Sequence, residues 1–231
     1  MLEKVVLHTN EKIREIRSKY KKQICVQDLD LVELKAFIGL LFYTAIFKEN
    51  HEHYTSWYST DGSGREIYRC IMNKSRLEVI LKTIRFDDTA TRETRRETDA
   101  SALISELFNS FIQRCQDVYA IGSYAYVDEM LLTFRSRCRF KMYMPKKPAK
   151  YDIQILCLTD ARSGYLLNAY IYVRKDSDGM NFPTEYKKLK KPTQAVLRLI
   201  SSIEGSNRNI TTDNWFTSIE LVNLLQKKWV H

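Results

Sequence analysis

The stretch Tyr124-Ala125-Tyr126-Val127-Asp128-Glu129-Met130-Leu131-Leu132-Thr133-Phe134 decides the fold. Its aromatic, β-branched and aliphatic residues read as one strand with an acid near the middle. A carboxylate in such a run is costly to bury unless a cation or a hydrogen-bond donor faces it. A second acid, Asp213, ends the short run Asn209-Ile210-Thr211-Thr212-Asp213. Two acids from distant parts of a basic chain point to a shared metal site. An Asp ahead of a helix is often only an N-cap. Here Thr217-Ser218-Ile219-Glu220 reads as a capping box, with Thr217 as cap and Glu220 reaching back. Asp213 is then left at the carboxyl end of a strand, where α/β sheets bind ligands. A purely structural acid remains the alternative for both residues.

Outward from this strand, the hydrophobic period changes. Residues 150–159 and 165–173 read as two more strands, with Asp160-Ala161-Arg162-Ser163-Gly164 as the turn between them. Residues 192–203 and 218–227 read as helices flanking the short strand 209–213. The first 120 residues read as helical. Asp30 with Glu33 marks the start of an apolar helix over 31–47, and Asn73 is placed to cap an amphipathic helix over 74–86. Residues 86–98 lack an apolar pattern and read as a solvated linker, and 102–118 as the next helix. This order predicts an α/β (α+β) fold, with a helical region over 1–120 and a mixed-sheet core over 121–231.

The 231 residues carry a net charge of +9 and are 44% hydrophobic, enough for a packed core. The charge favours a polyanionic partner, most simply nucleic acid. The five cysteines are scattered without a CxxC, which argues against a zinc finger or disulfide scaffold and for a reducing compartment. No apolar run is long enough for a membrane span, and no signal peptide is expected. His51-Glu52-His53 lacks further ligands and reads as an exposed loop.

After the first strand come Arg135, Arg137, Arg139, Lys141, Lys146, Lys147 and Lys150, with no acid among them and Met142, Tyr143 and Met144 interleaved. Such a strip suits phosphate contacts beside carboxylates, or else is a solvated basic loop. Lys187-Lys188-Leu189-Lys190-Lys191 is a second basic cluster, read as plain surface or a localisation-type patch.

Several blocks resemble the piggyBac family of DDE transposases: VDEMLLTFRSRCRFKMYMPKKPAKYDIQIL from Val127, TDARSGYLLNAYIY from Thr159, NITTDNWFTSIELVNLL from Asn209, and IRFDD over 84–88. The resemblance covers roughly residues 30 to 228. It implies an RNase H-like catalytic core preceded by a helical dimerisation and DNA-binding region, with DNA as partner, a homodimer, and a nuclear location. By family position Asp128 is the first catalytic acid and Asp213 the second, sharing Mg²⁺ ions in a two-metal phosphoryl transfer. Hard carboxylate oxygens suit that ion. Family members move DNA by cut and paste at TTAA targets through hairpin intermediates.

The chain departs from the family pattern in places. Ser136 stands where the family has a glycine, and Asp152 and Gln154 replace a glycine and a lysine. The family's third catalytic acid lies in a later motif that does not occur before His231. With only two acids, this chain is expected to be truncated relative to an active enzyme and inactive by itself. Three readings follow: a degenerate transposase whose lineage activity was DNA transposition, a domesticated non-catalytic DNA-binding or interaction module, and a nuclease completed by a partner's carboxylate.

Overall fold

The computed structural model describes residues 1–49, 51–134, 136–145, 150–173 and 183–229. The chain divides into two compact units, Met1–Thr94 and Arg95–His231. The division falls earlier than the boundary near residue 120 set by the change of period. The reason is that the helix Ser105–Val118 lays its buried Ile112 against sheet residues Ile153, Ile155 and Ala169 and so belongs with the strands.

The first unit is helical: α1 (Leu2–Ile16), α2 (Leu31–Ile46), α3 (Tyr54–Trp57), α4 (Glu66–Ile71) and α5 (Lys74–Thr83). Capping follows the sequence. Asp30 accepts from the Glu33 N–H at 2.7 Å, and Asn73 accepts from the Ser75 N–H at 2.9 Å. Val5, Ile13, Leu34, Phe37, Leu40, Leu77 and Ile80 form the buried core. Two polar clamps hold it. Asn10 donates to the Leu29 carbonyl at 2.9 Å and accepts from the Leu29 N–H at 2.6 Å. Buried Arg76 grips Glu33 through two 2.6 Å bonds and donates to the carbonyls of Cys25 and Gln27. His53 accepts from the Thr55 N–H, so it caps α3 from the loop expected there.

Residues 86–98 are not the featureless linker expected. Asp87 is 2% exposed and takes two hydrogen bonds from Arg92, which begins α6 (Arg92–Arg96). An Asp–Arg pair five positions apart adds no hydrophobic period, so the turn it stabilises is invisible to a periodicity argument.

In the second unit, α7 (Ser105–Val118) precedes β1 (Tyr124–Thr133), β2 (Met142–Tyr143), β3 (Tyr151–Asp160) and β4 (Leu166–Ile171). Then come α8 (Lys191–Ile200), β5 (Asn209–Thr212) and α9 (Ile219–Trp229). The two-residue β2 lies inside the basic strip and was not expected. The described strands form one mixed sheet. β3 pairs antiparallel with β1 on one side, and on the other with β2 at its start and β4 further along. β1 pairs parallel with β5.

β3 is central and covered on both faces, which explains its almost unbroken apolar run. Leu156 and Leu158 join Ala125, Val127 and the α8 residues Val196, Leu199 and Ile200 on one face. Ile153, Ile155 and Cys157 meet Ile112 of α7 on the other. The β3–β4 turn is closed by Asp160, whose carboxylate accepts from the N–H groups of Gly122, Arg162 and Ser163 at 2.7–2.9 Å. Gly164 completes it at φ 70°, a conformation glycine adopts without strain.

Candidate functional site

The parallel ladder between β1 and β5 places the two acids. Its pairs run from Tyr124 with Asn209 to Val127 with Thr212. Asp128 and Asp213 are the next residues on each strand. Neighbouring strands lie about 4.8 Å apart, so the ladder delivers both acids to the carboxyl ends of two adjacent parallel strands. Ala125 and Val127 are buried on the α8 face, so alternation turns Asp128 to the other face, opposite Cys157. Glu129, the acid beside it, points back to the α8 face and accepts a 2.7 Å bond from Gln154. One residue of register thus separates the two acids of the Asp-Glu pair.

Asp128 is half-buried, and its Oδ1 accepts from the Glu129 N–H at 2.8 Å. Burial pushes the Cys157 thiol up to about 11; a bond from the Met130 backbone opposes this, and the Asp128 carboxylate adds to it. Asp213 is exposed and sits at the head of a tight turn. Its Oδ1 accepts from the Trp215 N–H at 2.9 Å and the Phe216 N–H at 3.3 Å, and its carbonyl accepts from the Thr217 N–H and Oγ1. Phe216, 1% exposed, pins that turn into the core.

The expected capping box is corrected here. Thr217 bonds back to Asp213, and Ser218 Oγ accepts from the Leu221 N–H at 3.1 Å as the cap. Glu220 does not reach back. It spans to α8, accepting from Thr193 Oγ1 at 2.8 Å and the Lys190 N–H at 3.2 Å. Asp213 therefore does carry a turn-closing duty, with one oxygen. Its second oxygen and that of Asp128 have no hydrogen-bond donor among the described residues. Both are hard donors, the type a Mg²⁺-class ion takes. Among the described residues, no three His, Cys, Asp or Glu side chains gather as a metal-binding group.

The basic strip divides. Arg137 and Arg139 line a cavity of about 370 Å³ together with Arg96, Ala100, Leu103, Cys138 and Phe140. Lys141 donates to the Ser136 carbonyl at 3.0 Å and lies 4.9 Å from the centre of the Tyr151 ring. Lys150 is exposed at the start of β3. Arg135, Lys146 and Lys147 lie outside the described residues. Arg96 was not expected in this group. It stands 41 positions before Arg137, and only the tertiary fold brings the two together.

Asp152 is 1% exposed, and neither of its carboxylate oxygens has a hydrogen-bond partner among the described residues. It pairs with Thr133 of β1 and Met142 of β2, away from Asp128 along the strand.

Two comparisons bear on this arrangement. The model of the family described as Transposase IS4, a DDE transposase family, matches residues 1–231. A cryo-EM structure of a piggyBac transposase synaptic complex with hairpin DNA superposes with a TM-score of 0.87 at 34% sequence identity, covering 99% of this chain and 46% of that one. The chain thus spans a little under half the length of that transposase, and its mixed sheet with flanking helices is of the RNase H-like kind. On the match along its whole length and on this superposition, the chain belongs to the Transposase IS4 family of DDE transposases and is a piggyBac transposase-derived protein.

Proposed function

We propose that this chain carries part of the strand-transfer centre of a cut-and-paste DNA transposase, with Asp128 and Asp213 holding a divalent ion of the Mg²⁺ class. The observation that carries this reading is the β1–β5 register, which makes the two acids neighbours at the carboxyl ends of parallel strands. When bound, the ion would supply charge neutralisation at the scissile phosphate and activation of the attacking oxygen. The protein's own residues position and attract. Asp128 is held on the sheet by the β1 and β3 ladder, and Asp213 by its turn and the Phe216 anchor. Arg137, Arg139, Lys141 and Lys150 would offer cations to a phosphate backbone, and Arg135, Lys146 and Lys147 belong to the same basic stretch of sequence.

Two carboxylates make an incomplete donor set for two ions. A further carboxylate would have to join Asp128 and Asp213 for a two-ion site, and a partner chain is one source for it. A nuclear location and a homodimer belong to the same proposal, supported by the family and the charge of +9. The helical first unit would then serve dimerisation and DNA contact.

The test is calorimetric titration of Mn²⁺ into the wild type, Asp128→Ala and Asp213→Ala, alongside binding to a DNA duplex at several salt concentrations. Metal binding lost in both variants, with DNA binding that weakens as salt rises, supports the proposal. Metal binding that survives either substitution refutes the shared site. Salt-dependent DNA binding with no metal binding in the wild type would favour a non-catalytic DNA-binding module instead.

A further inference from the structure

The face of the sheet that carries Asp128 continues past it as an open surface. Side chains alternate along a strand, so Met130 and Leu132 share that face, and both are exposed. The register carries the face on to two tyrosines. Leu132 lies opposite Ile153, Tyr151 stands two residues before Ile153, and Tyr143 lies opposite Tyr151. Both rings therefore stand on the Asp128 face. Tyr143 is 54% exposed and Tyr151 52%, with ring centroids 5.1 Å apart and planes tilted by 40°.

Cations border these rings. Lys141 Nζ sits 4.9 Å from the centre of the Tyr151 ring, and Lys150, the residue before Tyr151, is exposed. The acid that follows Tyr151, Asp152, turns by alternation to the other face and is buried there. Exposed rings beside lysines suit a polyanion that also offers flat apolar groups. A duplex keeps its base faces inside the stack and would use the lysines alone. An unpaired strand offers phosphates and base faces together. A second copy of this chain, itself at +9, would bring cation against cation.

We infer that Tyr143 and Tyr151 form a stacking platform for the unpaired bases of a DNA single strand, with Lys141 and Lys150 on its phosphates. The inference rests on the DNA reading above and names the form of DNA that this face takes. Asp128 lies opposite Cys157, six residues along β3 from Tyr151. At about 3.3 Å per residue the platform is about 20 Å from that acid, the rise of about six stacked nucleotides. A strand with one phosphate at Asp128 can run over Met130 and Leu132 and lay a base on the tyrosines. Every base has a π-face, so the platform holds the strand without reading its sequence.

The experiment measures, by fluorescence anisotropy, binding of the 231-residue chain to a labelled oligothymidine of about 12 nucleotides, to an abasic strand of the same length, and to a duplex. The abasic strand keeps the phosphates and lacks the bases. Oligothymidine is expected to bind about tenfold or more tighter than the abasic strand. Tyr143→Ala and Tyr151→Ala should each weaken oligothymidine about fivefold or more and leave the abasic strand and the duplex nearly unchanged. Tyr143→Phe and Tyr151→Phe keep the ring and should keep the affinity. Both side chains are half exposed, and unchanged duplex binding by the same variants verifies their fold. Rising salt should weaken all three ligands while oligothymidine stays ahead of the abasic strand.

Equal affinity for oligothymidine and the abasic strand, or alanine variants that bind oligothymidine as the wild type does, would overturn the inference, while duplex and Mn²⁺ binding report on the earlier reading separately. Binding of no DNA at all would refute both. Self-association that the alanine variants lose, with oligothymidine binding retained, would overturn it in favour of a second copy on this face.

Discussion

Asp152→Ala is expected to make the protein more stable. The side chain is 1% exposed and both carboxylate oxygens lack a partner among the described residues, although it sits in a paired strand between Thr133 and Met142. A buried polar group left without a partner costs about 1–3 kcal/mol. Truncation removes that penalty and leaves a space little larger than one water, about 30 Å³. At about 24 cal/mol per Å³, that space costs about 0.7 kcal/mol. The net gain is then about 0.3–2.3 kcal/mol, which raises the melting temperature by about 1–9 °C in a chain of this size. The assay is urea denaturation followed by tryptophan fluorescence and far-ultraviolet circular dichroism, with the slope checked for equality between variants. Asp152→Asn keeps the shape and removes the charge, so it should shift the midpoint the same way by less. A loss of stability of 1 kcal/mol or more in Asp152→Ala would refute the reasoning, because it would mean that a donor or cation engages the carboxylate.

Other consequences follow from the polar contacts. The Gly122 and Ser163 N–H groups hold the Asp160 carboxyl down at about 2, below its ordinary value of 3.8. A lowered value means its contribution is present above about pH 3.8 and is lost as pH falls toward 2, so Asp160→Asn should flatten the acid limb of the stability curve in that window. Arg76→Met leaves Glu33 and two carbonyls without their donor and should cost about 3–5 kcal/mol in chemical denaturation. Glu220→Ala should cost about 1 kcal/mol, and the loss should shrink in a Thr193→Val background, where only the Lys190 N–H bond is left to lose; a capping role for Glu220 would leave the loss unchanged. Asp128→Asn should leave the melting temperature within a few degrees of wild type while abolishing Mn²⁺ binding, since among the described residues the carboxylate accepts only its neighbour's N–H.

Much of the fold was legible in the chain. Asp30 and Asn73 cap the helices they were expected to start, because a cap is a contact between residues two or three apart. The Asp160–Gly164 turn follows from an acid that accepts nearby N–H groups and a glycine with positive φ. The apolar run of residues 150–159 marked β3 as a strand, and the fold shows it covered on both faces. The misreadings share a cause. Glu220 fits a capping pattern three residues after Thr217, yet it bonds to α8, about 30 residues upstream in sequence. Asp87 fits a solvated run, yet its pair with Arg92 is buried. Local pattern cannot weigh a competing partner that arrives only on folding.

The sequence by itself determined the strands other than β2, the starts of the longer helices, the positive charge and, through its family resemblance, the two acids of interest. Only the tertiary structure decided that β5 lies parallel beside β1, so that Asp128 and Asp213 become neighbours while Glu129 turns away to Gln154. It also decided that Arg96 joins Arg137, Arg139 and Cys138 around one cavity. The physical reason is that side-chain alternation and capping act over a few residues. Strand order and register are set by which apolar faces bury each other across the whole unit, and a shift of one residue would have exchanged the two acids of the Asp-Glu pair between faces.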